Sequence, residues 1–435
     1  MMNSRQKLAI GLEGVPVAET VLSQVNGDEG RLIVAGENIE DLAGTVSFEE
    51  VAARLWARDG ETVEPAAVRA ALGRARVEAF ALLPRIECVF ATPDAMNALR
   101  AAVATLDEDR TPSIAPRWHA AARLTGAVAV FAAAWARRHA MQSVVLPDPS
   151  LGHAADFLHM LHGEAPEPCR VDALDTYFVT VADHGLNAST FAARVVASTG
   201  SDLVSAITAA IGALKGPLHG GAPGPVLDML DAVGTADNAR DWLAGELEAR
   251  RRIMGMGHRV YRVRDPRAFV LERALEKLQA AIVERRSAHS PDLLGGALAD
   301  ESVVDGVACA ETSNNDATHV AARVARSAAN SEANSAANQV AARLELARAV
   351  EREATALLAA QHPNRALRAN VEFYTAVLLE TVGIPRELFS ATFAAARTVG
   401  WTAHVDEERR KGRLIRPSSI YIGRTPERRN DVATR

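Results

Sequence analysis

The sequence predicts a mainly α protein built in two domains. Three observations carry that reading. Alanine, leucine and arginine recur at helical spacing along most of the chain. Alternating β-branched stretches are rare. The length, 435 residues with 48% hydrophobic content, exceeds what one simple core requires.

The elements follow in chain order. The N-terminal "MMNSRQKLAIGLEG" lacks an apolar core segment, so no signal peptide is expected. "GRLIVAG" is the clearest strand candidate. "SFEEVAARLWARDG" opens a helix with Ser47 as N-cap and Glu50 at the third helical position, a capping box, and closes at Gly60. "LTGAVAVFAAAWA", Leu124 to Ala136, is shorter than the roughly 20 residues of a bilayer span and reads as a buried helix. "DPSLGHAADFLHMLHGEAPEP" reads as a helix ended by Gly163 and prolines. Its His159 and His162 have metal-compatible spacing but no acidic or cysteine partner, so they are expected along a helix face.

From about 287 to 339 the composition shifts to Ser, Asn, Ala and Gly. There Asn330, Asn334 and Asn338 share one helical stripe, and Ser327, Ser331 and Ser335 the next. Alanine is almost its only apolar residue, so a surface insertion is expected, partly disordered or as an exposed helix. "SSIYIG" near the C-terminus is a second strand candidate.

Charge narrows the function classes. A formal charge of −6 suggests no nucleic-acid partner. Three cysteines, Cys88, Cys169 and Cys309, without a CxxC pair, point to a reducing, cytoplasmic setting with no disulfide scaffold or zinc ribbon. Lysine occurs only at Lys7, Lys215, Lys277 and Lys411. Arginine carries the positive charge, and its planar fork suits carboxylates and phosphates.

Three histidine segments hold the candidate chemistry. They are "ADHGLNAST" with His184 and Asn187, "GPLHGG" with His219, and "GMGHRVYRVRDPRA" with His258, Arg262 and Arg267. Alone, each histidine is more often a satisfied structural residue than a catalyst. "GPLHGG" is no P-loop, because no Gly-Lys-Ser/Thr follows, and no HExxH or GxSxG is present. Arg397 lies in an apolar helix face, where an isolated guanidinium is costly unless paired. Arg416 precedes Pro417 in an extended segment. Together the arginines would hold a small di-acid, the histidines would donate hydrogen bonds or protons, and a carboxylate would remove one. Glu372, in "NVEFY", is the candidate carboxylate.

Taken together, "GPLHGG", "GMGHRVYRVRDPRA", "DHGLNASTFAARVVAST", "NVEFY" and "ARTVGWTAHV…RPSSIYIG" resemble the citrate synthase family. The resemblance runs from about Leu8 to Gly423, interrupted by the Ser/Asn/Ala-rich stretch. It implies a helical homodimer. A large domain, 1–220 plus 384–435, would carry an inserted small domain, 221–383, that closes over the substrates. The implied reaction joins acetyl-CoA to oxaloacetate and hydrolyses citryl-CoA, with oxaloacetate binding first and no metal or other cofactor. Position by position, His219, His258 and Glu372 would be catalytic. His184, Asn187, Arg267 and Arg397 would form the oxaloacetate pocket, joined by Arg416 from the other subunit. Met254, Gly255, Met256, Gly257 and Arg262 would lie along coenzyme A.

The chain departs from the common family pattern at Glu372, where most members carry aspartate. The extra methylene adds about 1.5 Å of reach. Behind Asn370, a glutamate also suits a helix N-terminus without any catalysis. The rest of the site is intact, and "NVEF" resembles a bacterial branch with glutamate at this position, so Glu372 is read as the base. Two rivals stand beside citrate synthase. One is a 2-methylcitrate synthase using propionyl-CoA, since one methylene discriminates by only about 1–3 kcal/mol. The other is a catalytically weak, ligand-binding paralogue.

Overall fold

The computed structural model describes residues 9–12, 14–58, 60–107, 116–220, 223–288, 315–363 and 365–424. Among these residues the protein is mainly α, with fifteen α-helices and one small antiparallel sheet.

The sheet comes first: β1 (Ser23–Asn26), β2 (Arg31–Val34) and β3 (Glu37–Asn38) in the order β1-β2-β3. The expected "GRLIVAG" strand is β2. Its alternate residues Leu32 and Val34 are buried and pair with Val25 and Ser23. The helices follow as α1 (Ile39–Leu42), α2 (Phe48–Trp56), α3 (Pro65–Phe80), α4 (Ala95–Val103), α5 (Trp118–His139), α6 (His153–His162), α7 (Pro168–Val181) and α8 (Ala188–Ser198). Then come α9 (Leu203–Leu214), α10 (Pro223–Val233), α11 (Ala239–Glu248), α12 (Pro266–Ala288), α13 (Asn315–Gln361), α14 (Val371–Thr381) and α15 (Phe389–Lys411).

Local chemistry explains several ends. Ser47 accepts from the Glu50 N–H while the Glu50 carboxylate accepts from the Ser47 N–H, the capping box expected for α2. The helix stops at Trp56, short of Gly60. There the Trp56 indole donates to Thr402 and Arg58 forks onto Asp406, drawing the chain toward α15. Gly163 closes α6 in the left-handed conformation, as its sequence suggests. Leu124 to Ala136 is buried along α5, which packs between α3 and α15. No described helix is long and apolar enough to cross a membrane.

One expectation changes. "SSIYIG" forms no strand: 413–424 has no regular secondary structure, and Ile420, Tyr421 and Ile422 are exposed, with no neighbouring strand among the described residues. Within the stretch at 287–339, residues 289–314 lie outside the described residues. From Asn315 the backbone is helical as part of α13, but its side chains are described only from 338, so the asparagine and serine stripes fall outside as well, except at Asn338.

The elements that matter for chemistry meet at one place. The end of α7, the start of α8, the end of α9, the loop before α12, the start of α14 and the middle of α15 bring their polar side chains together.

Candidate active site

One half of the site is a backbone tie between 255–257 and 368–370. The Gly257 N–H donates to Arg368 O at 2.6 Å, the Asn370 N–H to Gly255 O at 3.0 Å, and the Asn370 amide to Gly257 O at 2.9 Å. Gly255 and Gly257 have φ of +71° and +84°, and a Cβ on them would lie 2.8 Å from Phe373 and 2.9 Å from Leu367. Neither position accepts a side chain without rearrangement. Asn370 then caps α14 by accepting the Glu372 N–H at 3.0 Å. Asp265 joins the same unit. It accepts the Val371 N–H at 3.2 Å and holds Arg267 through a two-point fork at 3.0 and 2.8 Å. His258, Arg267 and Glu372 are thereby fixed relative to one another.

His258 Nδ1 accepts two backbone N–H groups, from Val260 at 3.0 Å and Tyr261 at 3.1 Å. Its proton therefore sits on Nε2, which is left to donate to a ligand. Burial, helped by Arg267 and opposed by Asp265, brings the His258 pKa down to about 4. The ring is neutral at pH 7.

The other half comes from α7, α8, α9 and α15. Asn187 caps α8, its Oδ1 accepting the Ser189 and Thr190 N–H groups at 3.1 Å each. The Ser189 hydroxyl accepts from the Trp401 indole at 3.1 Å, donates to Asn187 Oδ1 at 2.7 Å and lies 2.8 Å from His219 Nε2. Burial, with Arg397 and Arg267 adding, lowers the His219 pKa to about 4. His184, at the end of α7, is buried. Its ring lies 5.7 Å from that of His258 and its Nε2 lies 3.1 Å from the Tyr261 hydroxyl. Burial drives its pKa well below the usual value, with Arg267 and Arg397 next in effect.

Arg397 stacks 4.6 Å over Phe393 and donates through Nε to Val181 O, while one terminal nitrogen is buried without a partner. Glu372 lies in the field of both Arg267 and Arg397. Burial raises its pKa to about 7, Asp265 adding and the two arginines opposing. The site thus combines three neutral imidazoles, two buried cations and a carboxyl poised near neutrality. That set suits a small dianion beside a weak carbon acid.

The residues expected from sequence largely converge: His184, Asn187, His219, His258, Arg267, Glu372 and Arg397. Met254 to Gly257 form the backbone tie beside them, and Arg262 is exposed on the same loop, its N–H on Gly27 O at 2.8 Å. Arg416 does not join this group within the protomer. It is exposed on the extended C-terminal arm, whose Ile415 N–H donates to Ser198 at 3.1 Å. Sequence reading passed over Asp265, Ser189 and Tyr261. All three stand inside the quoted motifs, but nothing in their spacing shows which partner each one meets. Among the described residues no group of three or more His, Cys, Asp or Glu is placed to hold a metal ion.

Comparison with known proteins gives one answer. The family profile described as "Citrate synthase, C-terminal domain" matches residues 11–290 and 318–418. The citrate synthase of Deinococcus radiodurans is 34% identical over 435 residues, covering 98% of this chain and 99% of that protein. The 2-methylcitrate synthase of Mycobacterium tuberculosis is 32% identical over 428 residues, covering 97% and 92%. The crystal structure of citrate synthase from Pyrobaculum aerophilum superposes with a TM-score of 0.74 at 30% identity, covering 98% of this chain and 95% of that one.

Proposed function

The chain belongs to the citrate synthase family of acyl-group transferases, and from that premise we propose how its pocket condenses acetyl-CoA with oxaloacetate. Arg267, Arg397 and His184 hold the two carboxylates of oxaloacetate, with Asn187 bracing that side. The thioester lies along Met254 to Gly257 and Arg262. Glu372 takes a proton from the α-carbon of the acyl group, and the His219 imidazole donates a hydrogen bond to the thioester oxygen as negative charge develops there. The resulting enol carbon attacks the ketone carbon of oxaloacetate. The ketone oxygen takes the Nε2 proton of His258 as the carbon–carbon bond forms. Water then cleaves the thioester, giving citrate and free CoA thiol. No cofactor beyond the CoA thioester takes part.

The observation that carries this reading is the convergence of His219, His258, Arg267, Arg397 and Glu372, with His258 Nδ1 occupied by two backbone N–H groups so that its Nε2–H is left for a ligand. Burial raises the Glu372 pKa to about 7 beside them. A base tuned toward working pH is most effective, and oriented donors supply some 3–4 kcal/mol each at a developing oxyanion. The extra reach of glutamate is accommodated from a helix start that Asn370 and Asp265 hold in place.

We assign 221–383 to a small domain that closes over the pocket, triggered by oxaloacetate, which therefore binds first. We also assign a homodimer in which Arg416 of each copy reaches the other's pocket. The exposed Leu414, Ile420, Tyr421 and Ile422 of the arm support that pairing, because they have nothing to cover them in one protomer.

Release of CoA thiol from acetyl-CoA and oxaloacetate tests the reaction, with propionyl-CoA in parallel to rank the acyl groups. Glu372→Gln is expected to lower turnover by about 100- to 10,000-fold while oxaloacetate still binds. Equal release from the variant would remove Glu372 from the role of base.

A further inference from the structure

Tyr261 is buried, 1% exposed, and meets His184, His258 and Arg267. Its hydroxyl lies 3.1 Å from His184 Nε2. Its backbone N–H donates to His258 Nδ1 at 3.1 Å. Its ring stands edge-on to His184 at 5.7 Å and tilted to His258 at 4.7 Å. The Arg267 guanidinium lies 5.9 Å above that ring. His184 belongs to the end of α7, whereas Tyr261 belongs to the loop that the Gly257–Arg368 tie binds to α14. The His184–Tyr261 bond is therefore a polar link between the two halves of the site.

We propose that Tyr261 is a positioning residue for oxaloacetate. Its hydroxyl holds the His184 imidazole by Nε2 while its backbone and ring hold His258, so one residue sets the spacing of the two histidines the ketodiacid would bridge. This rests on the reading of the pocket as an oxaloacetate site.

Two physical points support it. Burial pushes the Tyr261 phenol well above its usual pKa and His184 well below its own, so both stay neutral and the bond survives across the working pH range. A buried imidazole nitrogen stripped of its partner is costly, and a ring so released is free to turn. Tyr261 gives up no proton in the reaction, which distinguishes it from His258.

The test is oxaloacetate binding by titration calorimetry, without any acyl-CoA, on wild type, Tyr261→Phe, His184→Asn and the double variant. Tyr261→Phe keeps the ring contacts and loses only the hydroxyl. We expect it to weaken oxaloacetate binding about tenfold and to raise the oxaloacetate KM equally, with kcat and the acetyl-CoA KM changed much less. In the His184→Asn background the same change should cost almost nothing, because the partner is gone. Wild-type affinity in Tyr261→Phe, or an equal loss in both backgrounds, overturns the proposal and leaves the proposed reaction standing. No binding by the wild type overturns both. Nitrogen-15 NMR of histidine-labelled wild type needs no variant: a His184 Nε2 signal typical of a nitrogen without a hydrogen bond also overturns it.

Discussion

Arg267 and Arg397 face one pocket from opposite sides, and the protein treats them differently. Burial works against the charge of Arg267, but Asp265 outweighs it and holds the guanidinium above its usual pKa. Both oxygens of that carboxylate are engaged, one of them also by the Val371 N–H at the start of the helix that bears Glu372. Among the described residues, Arg397 has no carboxylate within hydrogen-bonding distance. Burial brings its pKa down to about 10, with Asp183 opposing and Arg267 adding. It keeps a carbonyl, an aromatic face and one nitrogen with no partner. The first arginine is part of the scaffold as well as the pocket. On the proposed reading, the second is a charge held ready for an anion that the ligand brings. A buried cation in that state costs stability, and a bound carboxylate offsets the cost.

The sharpest way to break this contrast is Arg267→Met. It strands Asp265 in the interior and should destabilise the fold by about 3–5 kcal/mol, read as a lower urea midpoint with unchanged slope. Arg397→Met should behave the opposite way. Its fold should be as stable as wild type or more so, while the oxaloacetate KM rises on the order of 100-fold through loss of a charged hydrogen bond. Equal destabilisation by the two substitutions would erase the distinction. Oxaloacetate itself sharpens it: at a hundred times its Kd it should stabilise wild type by about 2.7 kcal/mol, and the same concentration should stabilise Arg397→Met far less.

The smallest effect concerns Glu372, which lies in the field of both arginines. Its pKa in the folded protein is about 7, above the ordinary carboxylate value, so ionisation is disfavoured by folding. The stability it contributes is fully present below the unfolded pKa and is lost as pH rises toward and through 7. Glu372→Gln should therefore be more stable than wild type at pH 8, with the difference gone near pH 4. The same ionisation sets the acid limb of kcat/KM near 7, because His219 and His258 stay neutral down to about 4. An acid limb near 4 would assign it to a histidine instead.

Local signals in the chain were readable one residue at a time. Ser47 with Glu50 and Gly163 marked helix ends because capping depends on neighbours within a turn. Leu124 to Ala136 marked a buried helix by composition alone. What stayed hidden depends on partners far along the chain. "SQVN" has no strand signature of its own and becomes β1 because Leu32 and Val34 lie opposite it. "SSIYIG" has the signature and no partner strand among the described residues, so it forms none. Within the site, residue types announced the histidines, arginines and Glu372. The assignment of Asp265 to Arg267, of Ser189 to His219 and of Tyr261 to His184 required coordinates, since the last pair is 77 residues apart.

The tie between 255–257 and 368–370 also constrains how this sequence can drift. The ring of Phe373 and the branch of Leu367 occupy the volumes where Gly255 and Gly257 would carry a Cβ. A mutation at either glycine is tolerable only after 373 or 367 has shrunk, and the left-handed backbone must still be accommodated. Yet Phe373 adjoins Glu372 in the chain. Selection on the glycine loop is therefore also selection on the neighbour of the base, and the two segments must change in step or not at all. Across a set of relatives, this should show as linked variation between the pairs 255–373 and 257–367.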